Sequence, residues 1–422
     1  MKTHKTVMKK YFILAVAAIA VMAACAKVEH FDAPAPGDSL ISFSVVNHRA
    51  QTKSHPLPYT GSAYPTNVPF GTYCWWTEDD WTGAPSDTTF VFMNNEKVSY
   101  SGTQWVPSST YYWTKSGKLT FASYSPFADA DSTLITYRTA PDTLGRDSLR
   151  RFDFENYGYS EVPKYDFAKG FTYKDYRIVP DADVDLMYAD LAANCTQKTN
   201  ANGDKVQDEN GSSYSGVPTI FNHALCRVGF AFRAIGSMNP NVDSIRVVIN
   251  SVDIKNIETR GDFTQNPTTG SRWETDHDHL LKNYNFPVTI DTLVLIKDTP
   301  DSLASKKNYA ELDRKVIVLP QAHLNSNDGL AVTTDQLLTI SYTVLLHYTS
   351  APDNTDGSLK WATETLTSVL RLKNCGIPTW RDNQNIIYRI SINPYSSEPV
   401  TFDPAVAGWE DVDSLVTIYA NN

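Results

Sequence analysis

Apolar and polar residues alternate along most of the chain, and a period of two predicts strands rather than helices. Residues 337–347 (LLTISYTVLLH) set Leu338, Ile340, Tyr342, Val344 and Leu346 on one face, with Thr339, Ser341 and Thr343 opposite. Residues 40–46 (LISFSVV) place Ile41, Phe43 and Val45 on one face in the same way. Similar runs predict strands at 88–93, 118–124, 184–189, 226–232, 245–249, 252–257, 288–296, 315–319 and 386–392. Ser116-Gly117, between YYWT and KLTF, reads as a hairpin turn. Many short strands broken by Gly, Pro, Asn and Asp imply an all-β chain of antiparallel sandwiches.

One stretch breaks the alternation. Thr196–Gly216 (TQKTNANGDKVQDENGSSYSG) holds almost no large apolar residue and is expected to be a loop or linker. At roughly 150 residues per domain, a 422-residue chain is too long for a single ordinary sandwich. The expected division is a signal segment 1–24, a short linker 25–36 and two sandwich domains, 37–190 and 191–422.

The N-terminus has its own pattern. Lys2, Lys5, Lys9 and Lys10 precede an unbroken apolar run, Tyr11–Ala24, which Cys25 follows. Fourteen residues cannot cross a hydrocarbon core that takes about 20 in a helix, so the run reads as the apolar part of a secretory signal. Ala23 and Ala24 before Cys25 resemble a bacterial lipobox, which would make Cys25 a lipidated mature N-terminus. The alternative is an ordinary signal cleaved nearby, with Cys25 unmodified. Acyl chains tether a protein to a membrane without a spanning helix.

Charge narrows the partners. Lys and Arg total 37 against 47 Asp and Glu, and without residues 1–24 the balance becomes 33 to 47. A net −14 on the remainder argues against nucleic acid, whose phosphates require clustered cations. Cys74, Cys195, Cys226 and Cys375 are widely spaced, with no CxxC, and fit buried thiols or disulfides equally.

Catalytic motifs are missing: there is no HExxH, no GxSxG and no phosphate-binding glycine loop. The chain is therefore expected not to be an enzyme, and no cofactor or metal is assigned. Asp181, Asp183 and Asp185 have the spacing of a calcium loop without its glycine or distal glutamate, and read as a solvated strand face. Asp276, His277, Asp278 and His279 read as a polar turn, and Arg260-Gly261-Asp262 as a tight turn. Trp75, Trp76 and Trp81 beside Glu78, Asp79 and Asp80 are either core rings with an acidic loop or an aromatic sugar platform. The second option would make the chain a surface glycan-binding lipoprotein.

Several segments together resemble the fimbrillin family, the type V pilins of Bacteroidia. The lipobox at Cys25 is followed by a first strand at Leu40–Val46. YYWTKSGKLTFASYSP (111–126) is similar to the family's aromatic segment, with Thr114 where proline is usual. VDLMYA (184–189) and FNHALCRVGFAF (221–232) look like its boundary strand and the opening of its second domain. VLPQ (318–321), WRDNQNIIYRISI (380–392) and Trp409 follow in the expected order.

The resemblance implies two tandem transthyretin-like β-sandwich domains and assembly by strand exchange. It also implies an outer-membrane lipoprotein precursor that becomes part of a surface fimbria and helps adhesion to a host or bacterial surface ligand. The removable strand would insert Ile41, Phe43 and Val45, and Arg49 in the following loop matches the position cut by an arginine-specific protease. Arg49 is the only arginine between Cys25 and Arg138; as a plain solvated loop residue it would have no such role. The donor strand would be 412–420 (VDSLVTIYA), with Val412, Val416 and Ile418 on one face, and the receiving partners other copies or related fimbrial subunits. The same residues also fit an edge strand of their own domain.

Overall fold

The computed structural model describes residues 39–47, 64–83, 89–128, 163–167, 169–178, 185–200, 203–208, 210–211, 213–236, 239–266, 270–275, 281–296, 309–323, 335–349, 361–395, 399–408 and 416–417. The strands open with β1 (Phe43–Asn47), β2 (Phe70–Thr77), β3 (Phe90–Tyr100), β4 (Trp105–Pro107) and β5 (Lys118–Ser125). Next come β6 (Lys164–Asp166), β7 (Gly170–Arg177), β8 (Met187–Ala189), β9 (Ala192–Asn200), β10 (Gly203–Gln207), β11 (Ser213–Tyr214) and β12 (Val217–His223). The series continues with β13 (Cys226–Ala234), β14 (Val242–Glu258), β15 (Arg260–Asn266), β16 (Gly270–Thr275), β17 (Leu281–Phe286) and β18 (Leu293–Ile296). It ends with β19 (Ala310–Glu311), β20 (Val316–Val318), β21 (Leu337–Tyr348), β22 (Trp361–Arg371), β23 (Gln384–Ile392), β24 (Val400–Phe402), β25 (Ala405–Gly408) and β26 (Val416–Thr417). The chain is all-β, as its alternation predicts.

The first sheet runs β11-β10-β9-β5-β2-β3-β4-β1-β12-β8, and β8 pairs back onto β5. Seven strands (β5, β2, β3, β4, β1, β12 and β8) therefore close into a ring. Phe43, Phe70, Cys74, Trp76, Leu119, Phe121 and Phe221 belong to the core of this ring. The alternate residues of β2 and β5, Tyr73, Trp75, Ala122 and Tyr124, enter a second core with Phe171, Tyr173 and Phe263. A four-stranded sheet, β16-β15-β7-β6, supplies the far side of that core. Both faces of β2 are thus buried, which explains why FGTYCWWT shows no polar alternation.

A third core lies between the seven-stranded sheet that contains β13 and β23 and the five-stranded sheet that contains β14, β21 and β22. Phe230 stacks on Tyr388 there, and meets Phe286 edge to face at 4.6 Å. Among the described residues two pairings are parallel, β1 with β12 and β13 with β23; the others are antiparallel.

Several local expectations change. Thr196–Gly216 is no loop: β9 and β10 form a hairpin in register from Thr196↔Gln207 to Asn200↔Gly203. Its polar composition suits a half-exposed ribbon, from which Val206 turns into the core and Tyr214 packs half-buried against it. The boundary expected at 190/191 lies inside the first sheet, which continues to His223, and the next sheet begins at Cys226. The hairpin β15–β16, from the second half of the chain, pairs with β7 from the first, so the two halves share a sheet. The runs at 245–249 and 252–257 merge into the single strand β14, whereas 288–296 yields only β18. Ser116-Gly117 does not join two strands of a hairpin, because Tyr112 bridges to Leu40 instead of to β5.

Candidate functional site

The first strand is a stave of the ring, with β12 on one side and β4 on the other. Five residues pair with β12, from Phe43↔Val217 to Asn47↔Phe221, but only Phe43↔Trp105 joins it to β4. The stretch before β1 is bound as well. Trp113 N donates to Ser39 O (3.1 Å), Ile41 N to Tyr111 O (2.9 Å) and Val217 N to Ser42 O (2.8 Å). The segment 111–113 therefore closes over the entry to the strand, a role that its aromatic sequence does not announce.

Side chains alternate as the sequence requires. Ile41 and Phe43 are 1% and 4% exposed, Leu40 is 53% exposed, and Val45 packs half-buried against the same core. Phe43 meets Phe70 at 5.5 Å and Phe121 at 5.7 Å, edge to face in both cases. Edge-to-face pairs set a positive ring edge against a negative face and add to plain area burial. Full burial of such a ring contributes roughly 1.5–3 kcal/mol. The bed under β1 is thus an apolar trough with an aromatic slot at its centre.

Two further residues shape the trough. Gly216 lies against the β1 backbone: a Cβ there would stand 2.8 Å from Ser42 O and 2.9 Å from the Phe43 carbonyl carbon. Tyr64 stacks on Phe221 at 4.8 Å, and its hydroxyl is hydrogen-bonded to Ser125 Oγ at 2.6 Å. Burial raises the Tyr64 phenol well above its ordinary range, so it stays neutral. Burial likewise pushes the Cys74 thiol up, which makes it an inert part of the same core. Cys74, Cys195, Cys226 and Cys375 are all buried free thiols.

The other assigned residues fall in different places. Cys25, Arg49, Val412 and Ile418 lie outside the described residues, as do Asp276–His279. Val416 stands on β26, paired antiparallel with Val406 of β25 at the edge of its own sheet. Trp75 and Trp76, 5% and 8% exposed, enter opposite cores. Of the three rings of the sugar platform only Trp81 remains half-buried, and its backbone N–H donates to Asn194 Oδ1 at 2.7 Å. Arg260-Gly261-Asp262 makes no turn; it begins β15, with Arg260 opposite Arg177 and Gly261 opposite Tyr176. Asp185, the last of the three spaced aspartates, accepts a hydrogen bond from buried His223 Nδ1 at 2.5 Å, which gives it a structural role beside β12.

Several solved structures align with most of the chain. A fimbrial protein of Bacteroides vulgatus is 14% identical with a TM-score of 0.42, over 88% of this chain and 99% of its own. A candidate cell adhesion protein of Parabacteroides distasonis is 12% identical with a TM-score of 0.42, over 88% and 100%. The C-terminally truncated tip fimbrial protein Mfa3 of Porphyromonas gingivalis is 12% identical with a TM-score of 0.30, over 81% and 94%. No curated protein matches the sequence. The sequence model for fimbrillin-like proteins matches residues 69–409, which takes in almost every strand described above. With a match of that breadth, the chain belongs to the fimbrillin-like family.

Proposed function

We propose that this fimbrillin-like chain is a structural subunit of a cell-surface fimbria, assembled by protease-triggered strand exchange and contributing to adhesion. One observation carries the reading: β1 is a short terminal stave in an otherwise continuous ring, seated in an apolar trough and held by five pairs on one side and one on the other. Removing it would leave unpaired N–H and C=O groups along β12 beside the exposed slot of Phe43. Another chain's strand would satisfy both the hydrogen bonds and the apolar surface.

In this reading Cys25 carries lipid that holds the precursor at the outer membrane, and an arginine-specific protease cuts after Arg49. The segment with Ile41, Phe43 and Val45 then leaves. The tail 412–420 (VDSLVTIYA) inserts Val412, Val416 and Ile418 into a neighbouring subunit, another copy or a related fimbrial protein. Three or four anchors at ~1.5–3 kcal/mol each and hydrogen bonds at ~1 kcal/mol net give gross stabilisation on the order of 10 kcal/mol, before ordering and association costs. An attached strand has a high effective concentration and normally wins, so the cut is what makes exchange favourable.

The test is a gel. Protein without its signal segment is treated with trace arginine-specific protease and run unboiled. Loss of the first strand should accompany a ladder of detergent-resistant oligomers. The same treatment of a chain truncated before Val412 should give cut monomers only, and a ladder from that chain would overturn the donor assignment.

A further inference from the structure

We propose that the trough under β1 selects its occupant by one aromatic ring, so that it takes the matching strand of a different subunit in preference to the tail of a second copy of this chain. The proposal rests on the strand-exchange reading above and specifies the partner.

The trough has a defined shape. Its centre is the slot between Phe70 and Phe121, whose rings both meet Phe43 edge to face. Two residues to either side, Ile41 and Val45 face the same core. The occupant therefore needs an aromatic residue with aliphatic residues at both positions two removed. Gly216 fixes the position of the strand, because the β1 backbone already rests where a Cβ would stand. An occupant with a smaller central residue has no room to shift toward β12 and close the gap. An aliphatic at the centre would leave part of the Phe70 and Phe121 rings without contact, and a dense core does not tolerate such voids.

This chain's own tail does not have that pattern. Residues 409–422 (WEDVDSLVTIYANN) contain two aromatics, Trp409 and Tyr419. Trp409 has Ala407 and Asp411 two residues away, and Tyr419 has Thr417 and Asn421. Either ring in the slot would drive a polar side chain into a site now filled by Ile41 or Val45, where it would be buried without a partner. The opposite face offers Val412, Ser414, Val416, Ile418 and Ala420, all too small for the slot. Val416 and Thr417 moreover already pair with β25 of their own sheet.

The experiment uses the full chain, nicked after Arg49, and three fluorescent peptides. One is LISFSVV, the second carries Phe43→Ala in the same sequence, and the third is VDSLVTIYA. Capture is read by anisotropy and by fluorescence co-migrating with the protein on an unboiled gel. LISFSVV should bind at least about tenfold more tightly than either of the others. Equal or tighter capture of VDSLVTIYA would overturn the selectivity while leaving strand exchange intact. Failure of all three peptides to bind after β1 has left would overturn strand exchange itself, and the selectivity with it. If β1 stays in place after the cut, the Phe43→Leu chain nicked after Arg49 serves instead, because its resident strand is no longer attached and fills the slot less well. LISFSVV should displace that strand and VDSLVTIYA should not; the reverse order refutes the proposal.

Discussion

Gly216 and Ser42 touch backbone to backbone: Val217 N donates to Ser42 O at 2.8 Å, and a Cβ on Gly216 would stand 2.8 Å from that same oxygen. The contact is between main chains, so no side-chain rotation relieves it. Gly216→Val should therefore push β1 away from β12. Overpacking of this kind typically costs about 1–3 kcal/mol. Amide exchange should accelerate at residues 41–47 before it does in β13 or β23, and a uniform change across both regions would contradict the local origin.

Neighbouring positions at the start of the first strand should respond very differently to truncation. Phe43→Ala removes a buried ring that touches two others and should cost ~3–5 kcal/mol. Leu40→Ala, at a side chain 53% exposed, should stay within about 0.5 kcal/mol. Urea unfolding of the two variants measures the difference. Similar losses would mean that the ring core does not hold β1 as described.

The shared sheet makes a third prediction. Gly170 has φ +81° and lies so close to β15 that a Cβ would fall 1.6 Å from Gln265 O. Alanine there meets both an unfavourable backbone conformation and a backbone clash. Gly170→Ala should break the β7–β15 pairing near Phe171↔Gln265 and cost at least ~2 kcal/mol. Exchange at Thr172 and Thr264 should rise, and the tie between the two halves of the chain should become the first site of proteolysis.

How far the sequence anticipated this fold depends on how local each feature is. The period of two in LLTISYTVLLH and LISFSVV places Leu338, Ile340, Ile41 and Phe43 in cores because strand geometry sends alternate side chains to opposite faces. Trp75 and Trp76 show why the same rule falls silent in β2: with a core on each face, every position is buried and no apolar–polar alternation survives. The β9–β10 hairpin was hidden for the opposite reason, since beyond Cys195 the half-exposed ribbon sends few apolar side chains inward, chiefly Val206. The pairing of β15 with β7 joins residues about ninety apart, and nothing in either segment names its partner. Gly216 had a faint signal, a glycine directly before an apolar strand, but its meaning depends on Ser42 arriving from far away in the sequence.

A buried histidine gives the second half of the chain a measurable acid response. His323 Nδ1 donates to Gln336 Oε1 at 2.9 Å, Gln336 Nε2 donates to Gln321 Oε1 at 2.8 Å, and Gln321 Nε2 donates to Glu258 O at 3.2 Å. The ring lies 4.4 Å from that of Trp380, edge to face, and its Nε2 is buried without a hydrogen bond. Burial lowers the His323 pKa from 6.5 to about 4, with the Gln336 bond opposing the shift. Between those two values the unfolded chain binds a proton that the folded chain refuses, so stability falls as pH drops through this window. Above pH 6.5 the neutral ring incurs no such penalty, and below about 4 both states are protonated and the loss levels off. At ~1.4 kcal/mol per pH unit the full loss is on the order of 3 kcal/mol. Acidic groups elsewhere titrate over the same range, so the measurement is the difference between the parent chain and His323→Phe, by urea unfolding at pH 7, 6, 5 and 4. The phenyl ring gives up the Gln336 bond at every pH but has no proton to gain. The variant should therefore lose less stability than the parent on acidification, and parallel curves would show that His323 is not the group that titrates.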